Sequence, residues 1–415
     1  MQTLYPRVAG LDVHKNTIVA CARHVDAHGK VKEEVSTFGT MTDDLLSLSD
    51  WLAARNVTHV AMESTGVLWK PVWNVLEGAA WELLLVNANE LKQVPGRKSD
   101  VKDAQWIAQL LACGLLRSSF VPPPPQRELR DLTRQRAQLA GEHTRCVNRV
   151  HKVLQDANIK LSSVATDVLG VSGREMLTAL VAGKDDPEEL AELARGKLRG
   201  KIPELKRALR GQVTRHHQFL LEQLLDHLAH LEHQMALFSE RIAEALRPFV
   251  DEATFNRLDA IPGVNRETIE NVVAEIGVDM KQFASAGHLC SWAGVCPGNE
   301  QSAGKRKRSR TTKGDVWLRR ALSQAAWAAA RKKDSYLQAQ YRRLAGRRGR
   351  KRAVVAVGHT LLEIFYHLLK NPTLEYHDLG GNYFDMLDPQ RLCRHLVRRL
   401  ESLGYQVTLT AQPAA

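Results

Sequence analysis

The sequence lacks the patterns that mark zinc ribbons, disulfide frameworks, membrane spans and secretory leaders. Its six cysteines are scattered along 415 residues without a C-x-x-C pair, which argues against a zinc ribbon and a disulfide framework. No stretch approaches the ~18 apolar residues of a membrane span. The N-terminus, MQTLYPRVAG, enters a strand directly and has no signal-peptide pattern. These absences predict a cytoplasmic protein.

The sixteen histidines also lack a convincing metal-ligand spacing. Five of them follow one polar-apolar helical stretch: His216, His217, His227, His230 and His233. Solvated or core histidine is the favoured role for these five. Metal binding is the weaker alternative, because no cysteine or carboxylate has a matching spacing.

Positive charge is concentrated in one segment. The net charge is +12, but residues 304–352 hold 18 Lys and Arg against two Asp, a local balance of +16. The other residues carry 40 basic and 44 acidic side chains, so they are slightly acidic. A solvated helix face normally mixes both signs, whereas a cluster of one sign favours contacts with nucleic-acid phosphates.

The N-terminal part of the chain predicts an α/β domain. Residues 7–38 have the pattern of three strands, and a helical pattern over 41–55 follows. A strand that ends at Glu63, a Trp-rich helix, a strand in WELLLVN and a helix near Asp100 complete the order. This order is that of a ribonuclease-H-like fold, with a mixed sheet covered by helices, which we assign to residues 1–121.

The remaining chain is predicted to be mainly helical. The prolines at 122–125 predict a stiff extended linker, because proline can neither donate to a ladder nor continue a helix. A helical connector is expected over 122–248, and its leucines at 212–246 fit packing within the chain and a coiled-coil dimer about equally. Residues 249–385 form the predicted C-terminal domain, in which LDAIPGVNRETIENVVAEIG resembles a helix-hairpin-helix that faces DNA phosphates. Residues 386–415 are predicted to be a polar tail.

Four carboxylates form the candidate site: Asp12, Glu63, Asp100 and Asp103. Singly, each has an ordinary explanation as a strand-end acid, a loop acid or an acid in the first turn of a helix. An acid on a core strand is costly unless it is paired or metal-bound, and hard divalent cations take oxygen ligands. Together the four predict a site for Mg²⁺ or Mn²⁺. Two such ions about 4 Å apart can clamp the attacking and leaving oxygens of a phosphodiester.

The segments GLDVHK, MESTG and KSDVKDA resemble the DEDD motifs of transposases of insertion-sequence family one-ten, which include site-specific DNA invertases. The resemblance covers nearly the whole chain. It implies a RuvC-like N-terminal domain whose four acids bind the metal and orient the scissile phosphate. It also implies a homo-oligomer, dimer or tetramer, in which the two halves of the site come from different subunits. It further implies a structured non-coding RNA that specifies the DNA by base pairing. The implied location is the nucleoid of a bacterium or archaeon.

A serine of the C-terminal domain supplies the second half of the predicted site. Loop chemistry alone favours an ordinary loop serine. The resemblance identifies Ser302 as the nucleophile, since the family carries a Ser-Gly-Gly-Lys-like loop whose serine forms a covalent phosphoserine. This chain has Ala303 in place of the first glycine, and alanine takes φ > 0 less readily. Ser309 and Ser291 are the fallback candidates.

Nucleic-acid contacts are predicted for cations near Ser302 and on the long basic helix. The residues are Lys305, Arg306, Lys307, Arg308, Arg310, Lys313, Arg130 and Arg134. Such cations would stabilise negative charge on phosphoryl oxygens. The favoured hypothesis is a DNA recombinase with DNA and guide RNA as partners. The alternatives are a metal-dependent Holliday-junction-type nuclease that hydrolyses with water, and a non-catalytic nucleic-acid scaffold.

Overall fold

The structure, a computed structural model, describes residues 3–26, 28–64, 66–87, 100–298, 301–302, 305–306, 311 and 313–410. Of residues 100–102, 301–302 and 305–306 it describes the backbone alone. The chain divides into two compact units, Met1–Pro122 and Pro123–Ala415. The finer division of the second unit at 248 and 385 stays a prediction.

The first unit is built on a five-stranded mixed sheet. Its strands are β1 (Arg7–Val13), β2 (Thr17–Val25), β3 (Val31–Gly39), β4 (His59–Glu63) and β5 (Glu82–Val86). They lie in the order β3-β2-β1-β4-β5. The β1–β2 and β2–β3 pairs are antiparallel, whereas β1–β4 and β4–β5 are parallel. This is the mixed α/β sheet that the sequence predicts.

Helices cover both faces of this sheet. They are α1 (Thr42–Ala53), α2 (Trp69–Leu76) and α3 (Asp100–Ala112). Strand residues alternate between the faces, so Leu11 packs with the apolar side of α1 and α2, whereas Val8 packs with α3. The two hydrophobic layers together fix the faces to which the side chains of β1 and β4 point.

Gly10 allows α3 to lie directly on β1. A Cβ atom at this position would come within 2.3 Å of the carbonyl oxygen of Ala104 and 2.5 Å of the amide nitrogen of Ala108. Contacts this short with backbone atoms cannot be relieved by a rotamer change. The helix can therefore approach the strand this closely only where the strand carries glycine.

The second unit begins with a long helix, α4 (Pro124–Asp156), whose N-cap is Pro123. The prediction of an extended linker through Pro125 was therefore wrong. Proline is tolerated in the first turn of a helix, where its missing N–H would have no intrahelical partner. The helix then follows the predicted pattern, since Leu129, Leu139 and Leu154 are all buried.

Three shorter helices and one long helix share a hydrophobic core with α4. They are α5 (Val171–Val181), α6 (Pro187–Glu192), α7 (Ile202–Ala208) and α8 (Arg215–Leu246). Leu221, Leu228 and Leu231 of α8 are buried in one cluster with the C-terminal half of α4. The leucine pattern therefore serves packing within the chain. A dimer contact on other surfaces of α8 stays a prediction.

The rest of the second unit is mainly helical. Its elements are α9 (Glu252–Asp259), α10 (Arg266–Ile276), α11 (Ala286–Trp292), β6 (Gln301–Ser302), β7 (Lys305–Arg306), α12 (Val316–Ala329), α13 (Tyr336–Arg348), α14 (Arg350–Lys370), α15 (Tyr383–Met386) and α16 (Pro389–Glu401). The helix–turn–helix pattern appears as α9 and α10. Its Gly263, with φ +85°, packs against the backbone of α12. Helix α16 lies in the stretch predicted only as a polar tail.

Helix α14 is long and apolar enough to cross a membrane by length and composition. Its apolar side, however, includes Leu361, Phe365 and Tyr366, which are buried in the core of the C-terminal helices. Tyr366 also donates a 3.2 Å hydrogen bond to the carbonyl oxygen of Phe283. The core helix of a folded domain passes the same test of length and composition.

We expect Gly10→Ala to destabilise the first unit by about 1–3 kcal/mol, because the added methyl group forces α3 away from β1. Hydrogen exchange of the β1 and α3 amides measures this opening. Gly346→Ala, in open space on α13, is the matched control and should leave these amides unchanged. If the β1 and α3 amides exchange equally slowly in Gly10→Ala and in the parent protein, the close approach of α3 to β1 is contradicted.

Candidate active site

Asp12 and Glu63 lie on the side of the sheet that α3 covers. Strand side chains alternate between the faces, so Asp12 shares its face with Gly10, and the same alternation places Glu63 on that face. The parallel register of β1 and β4 sets Leu11 beside Met62. Asp12 and Glu63 are the next pair along this register. The strand geometry therefore brings the two acids together.

Asp12 is partly withdrawn from water, with 14% of its side chain exposed. Burial raises the pKa of its carboxyl, the charge of His14 lowers it, and the charges of Asp103 and Glu63 raise it further. The net shift is upward. Nε2 of His14 lies 3.0 Å from Oδ2 of Asp12. Because the folded-state pKa is raised, the metal-free fold loses stability as the pH rises through the unfolded and folded pKa values of Asp12.

Asp103 reaches the two strand acids from α3. Its effect on the pKa of Asp12 places the two carboxyl groups within electrostatic reach of each other. Asp100 begins the same helix, and residues three apart share one helix face. The side chain of Asp100 lies outside the described residues. The structure thus brings Asp12, Glu63 and Asp103 together on one side of the sheet.

The chemistry of these acids fits a divalent metal ion. Their donors are carboxylate oxygens, which hard cations prefer, and a cation would offset the repulsion that raises the pKa of Asp12. Among the side chains that the structure describes, no three His, Cys, Asp or Glu residues are arranged so that they could hold a metal ion. Asp100, the fourth predicted ligand, is not among those side chains.

His14 is the neighbour of the site to which the sequence gave no role. Its ring is half exposed and hydrogen-bonded to Asp12. The only signal in the sequence is its spacing, because residues two apart on a strand share a face. His14 holds the carboxylate of Asp12 by this hydrogen bond.

In the metal-free protein we expect Asp12 to titrate above the ordinary aspartate value of about 3.9. Asp103→Asn should lower this pKa, because it removes a neighbouring negative charge. NMR of ¹³C-labelled aspartate carboxyls against pH measures both values. Asp43→Asn, an exposed site on α1, is the control and should leave the Asp12 pKa unchanged. If Asp103→Asn leaves the pKa of Asp12 unchanged, the two acids do not lie close together.

Ser302 lies in a short β-hairpin of the second unit. Its backbone pairs with Lys305, and Gln301 pairs with Arg306, in antiparallel register. The side chains of these four residues lie outside the described residues, as do Ala303 and Gly304. Ser291, one fallback nucleophile, is exposed on α11, whereas Ser309 lies outside the described residues. The consequence of Ala303 for the loop stays a prediction.

The base of the serine hairpin is closed by close packing. Pro297 and Thr311 form an antiparallel bridge across it. A Cβ atom on Gly314 would lie 2.3 Å from the carbonyl carbon of Ala293 and from the amide nitrogen of Gly294. The segment between the hairpin and α12 therefore touches the turn at the end of α11, and only glycine fits at the contact.

An ion-pair network fixes the helix that follows the hairpin. Asp315 caps α12 by accepting a 2.8 Å hydrogen bond from the amide of Leu318. Its carboxylate also lies 3.3 Å from Nη2 of Arg134 on α4. Arg134 forms two 2.7 Å hydrogen bonds with the carboxylate of Glu275, which is 2% exposed. One buried bidentate pair thus links α4, α10 and the start of α12.

The nearby arginines of α4 are also engaged within the chain. Arg130 donates to the carbonyl oxygens of Ala274 and Glu275 at the end of α10. Arg136 forms a 2.6 Å ion pair with Glu270, another carboxylate that is 2% exposed. Nucleic-acid binding by Arg130 and Arg134 stays a prediction, and it would compete with these contacts.

The other predicted phosphate-binding cations lie within or close to the hairpin in the sequence. The backbones of Lys305 and Arg306 form β7, and Lys313 is exposed just before α12. Lys307, Arg308 and Arg310 lie outside the described residues. Nucleic-acid contacts by this group likewise stay a prediction.

We expect Arg134→Met to destabilise the second unit by roughly 3 kcal/mol, because it leaves the buried Glu275 carboxylate without its bidentate partner. Urea denaturation measures the change. Arg145→Met is the matched control on the same helix: Arg145 is 69% exposed and 3.8 Å from Glu142. Its loss should cost less than about 1 kcal/mol. Equal costs for the two variants contradict the proposed importance of the network.

Two family models match the chain. Residues 9–159, which include Asp12, Glu63, Asp100 and Asp103, match the DEDD_Tnp_IS110 family model, described as a transposase. Residues 255–342, which include Ser302, match the model described as the transposase IS116/IS110/IS902 family. No curated protein matches the chain. The two matches together span more than half of the sequence, and the chain belongs to the IS110 family of transposases, enzymes that act on DNA.

Proposed function

We propose that this transposase is a site-specific recombinase that cleaves and rejoins DNA through Ser302. In this proposal Asp12, Glu63, Asp100 and Asp103 hold Mg²⁺ or Mn²⁺. The observation that carries the proposal is the convergence of Asp12, Glu63 and Asp103, whose mutual repulsion contributes to the raised pKa of Asp12. The sheet order β3-β2-β1-β4-β5 supports the ribonuclease-H-like, RuvC-like assignment of the first unit.

The acids have a binding and orienting role in this mechanism. A bound divalent cation would supply positive charge to the oxygens of the scissile phosphate. The sheet holds Asp12 and Glu63 on adjacent strands, so their spacing is set by backbone pairing. Helix α3 covers the same face of the sheet and contributes Asp103. A site fixed by regular elements holds a phosphate more accurately than one built on mobile loops.

Ser302 carries the covalent step of the proposal. Its hydroxyl oxygen attacks the phosphorus, a serine–phosphate bond forms, and the bond from phosphorus to the leaving deoxyribose oxygen breaks. The proton of the serine hydroxyl ends on that leaving oxygen. The phosphoserine keeps the ester, so a second DNA hydroxyl can reverse the step and rejoin a strand. Cations around the hairpin would stabilise charge on the phosphoryl oxygens.

A structured non-coding RNA and a homo-oligomer complete the proposal. The resemblance of the DEDD and serine motifs supports both. Base pairing of an RNA with donor and target DNA would supply sequence specificity, and the protein would bind mainly the backbone. The acids of one subunit and Ser302 of another would form one composite site. The helical connector and C-terminal domain, 122–248 and 249–385, are the proposed supports of that assembly in the bacterial or archaeal nucleoid.

We expect Ser302→Ala to abolish the covalent protein–DNA adduct on a plasmid that carries the element's ends. Denaturing gels after incubation with Mg²⁺ and the adjacent non-coding RNA measure the adduct and the recombinant product. Ser291→Ala and Ser309→Ala are the matched controls and should retain both. Omission of the RNA should remove the product, because the DNA is then not specified.

The same assay separates the competing functions. Nicking that persists in Ser302→Ala would identify a metal-dependent junction nuclease that uses water. Full activity of an Asp12→Ala/Asp103→Ala variant would identify a scaffold whose acids have no catalytic role. A mixture of Asp12→Asn and Ser302→Ala proteins tests the shared site. Activity should return only if one subunit supplies the acids and another supplies the serine.

A further inference from the structure

A large groove lies in the second unit, between α13 and the C-terminal helix α16. Its volume is about 1230 Å³. Arg342, Arg343 and Arg347 of α13 line one wall. Arg391 and His395 of α16 line the other. Two helices with the same sign of charge therefore face each other across an open space.

The floor of the groove is held by aromatic packing. The ring of Tyr336, at the start of α13, stacks on Phe384 with ring centroids 5.3 Å apart. Tyr383 packs edge-on against the same tyrosine at 5.1 Å. The guanidinium of Arg343 lies 4.9 Å from the centre of the Phe384 ring. The segment that leads to α16 is thus attached to α13 by three ring contacts.

Hydrogen bonds attach the same segment a second time. The carboxylate of Asp378 accepts a 2.8 Å bond from the amide of Tyr336 and a 2.7 Å bond from the amide of Gly380. Gly381 also packs closely, since a Cβ atom there would lie 3.1 Å from the Cα atom of Asp334. Backbone as well as ring contacts therefore hold the segment that leads to α16, and with it one end of the groove.

The arginines of the groove are not neutralised by ion pairs. Among the described residues, Arg342, Arg343, Arg347 and Arg391 have no carboxylate within salt-bridge distance. All four are exposed. Like charges on facing walls repel each other, and a polyanion between them would turn this repulsion into attraction.

Three acids also line the groove: Asp334, Asp385 and Asp388. Asp388 is occupied as the N-cap of α16, where it accepts a 3.0 Å bond from the amide of Arg391. The acids leave the lining with a positive balance. A chain of several phosphates can place its charges beside the arginines of both walls.

We propose that this groove binds the phosphodiester backbone of a nucleic acid strand, with Arg347 and Arg391 as opposed phosphate contacts. Phe384, the aromatic residue of the lining, is already covered by Tyr336 and Arg343, so it is not free to stack on a base. Binding should therefore depend on charge and salt more than on base sequence. DNA and RNA share this backbone chemistry, and the test distinguishes them.

The test compares two double variants of the full-length protein. Arg347→Glu/Arg391→Glu reverses charge inside the groove. Arg348→Glu/Arg394→Glu makes the same change in net charge on residues of the same two helices that do not line it. Fluorescence anisotropy measures binding of single-stranded RNA, an RNA hairpin, single-stranded DNA and duplex DNA over a range of salt concentrations.

We expect the groove variant to bind at least one of these nucleic acids about tenfold or more weakly, and the salt slope to fall by roughly 1.5. The control variant should stay close to the parent protein. The probe that responds identifies the strand that occupies the groove. Equal weakening by both variants, or no response from any probe, overturns the proposal.

This inference can fail independently of the recombinase proposal. Binding is measured without divalent metal and in a Ser302→Ala background, so it requires neither the acids nor the nucleophile. Unchanged binding by the groove variant, with the adduct formed by the parent protein, counts against the groove alone. Weakened binding by the groove variant, with no adduct formed by the parent protein, counts against the recombinase proposal alone. Circular dichroism of both double variants checks that the exposed substitutions leave the fold unchanged.

Discussion

A carboxylate that is removed from water needs positive charge nearby, and this requirement shapes both units of the chain. In the second unit, Glu270 and Glu275 are almost fully buried and receive that charge from arginines of α4. In the first unit, Asp12 is partly buried beside two further acids, and its carboxylate is hydrogen-bonded to the half-exposed ring of His14. The buried carboxylates that are paired with arginines have a structural role. The cluster of acids around Asp12 has the properties of a binding site for a cation.

The precision of both candidate sites comes from backbone packing around them. Gly10 lets α3 rest on β1, and this contact sets the distance of Asp103 from the strand acids. Gly314 lets the segment after the serine hairpin touch the end of α11, and Asp315 anchors the next helix to Arg134. Neither glycine carries chemistry of its own. Each determines where a functional side chain can lie, because a side chain at its position would collide with backbone atoms.

Much of the fold follows from local patterns in the sequence. The strand triplet, the strand that ends at Glu63 and the leucine-rich helices all have clear periods, and period is a local property. The proline run was misread, because Pro124 can begin a helix as readily as it can extend a linker. Helix α16 was not predicted, because the stretch that contains it was described by its polarity alone. The structural use of Arg130 and Arg134 was also missed, because their partners lie more than a hundred residues away.

The sequence alone determined the residue types and the faces on which they lie. It supplied four acids with the spacing of a DEDD transposase, a serine in a basic segment, and a concentration of positive charge in residues 304–352. Only the tertiary structure decided which acids lie close together. It also decided which arginines form ion pairs with buried carboxylates and which line the groove between α13 and α16. The reason is physical: periodicity fixes direction along one element, whereas neutralisation of charge depends on partners that packing brings from distant elements.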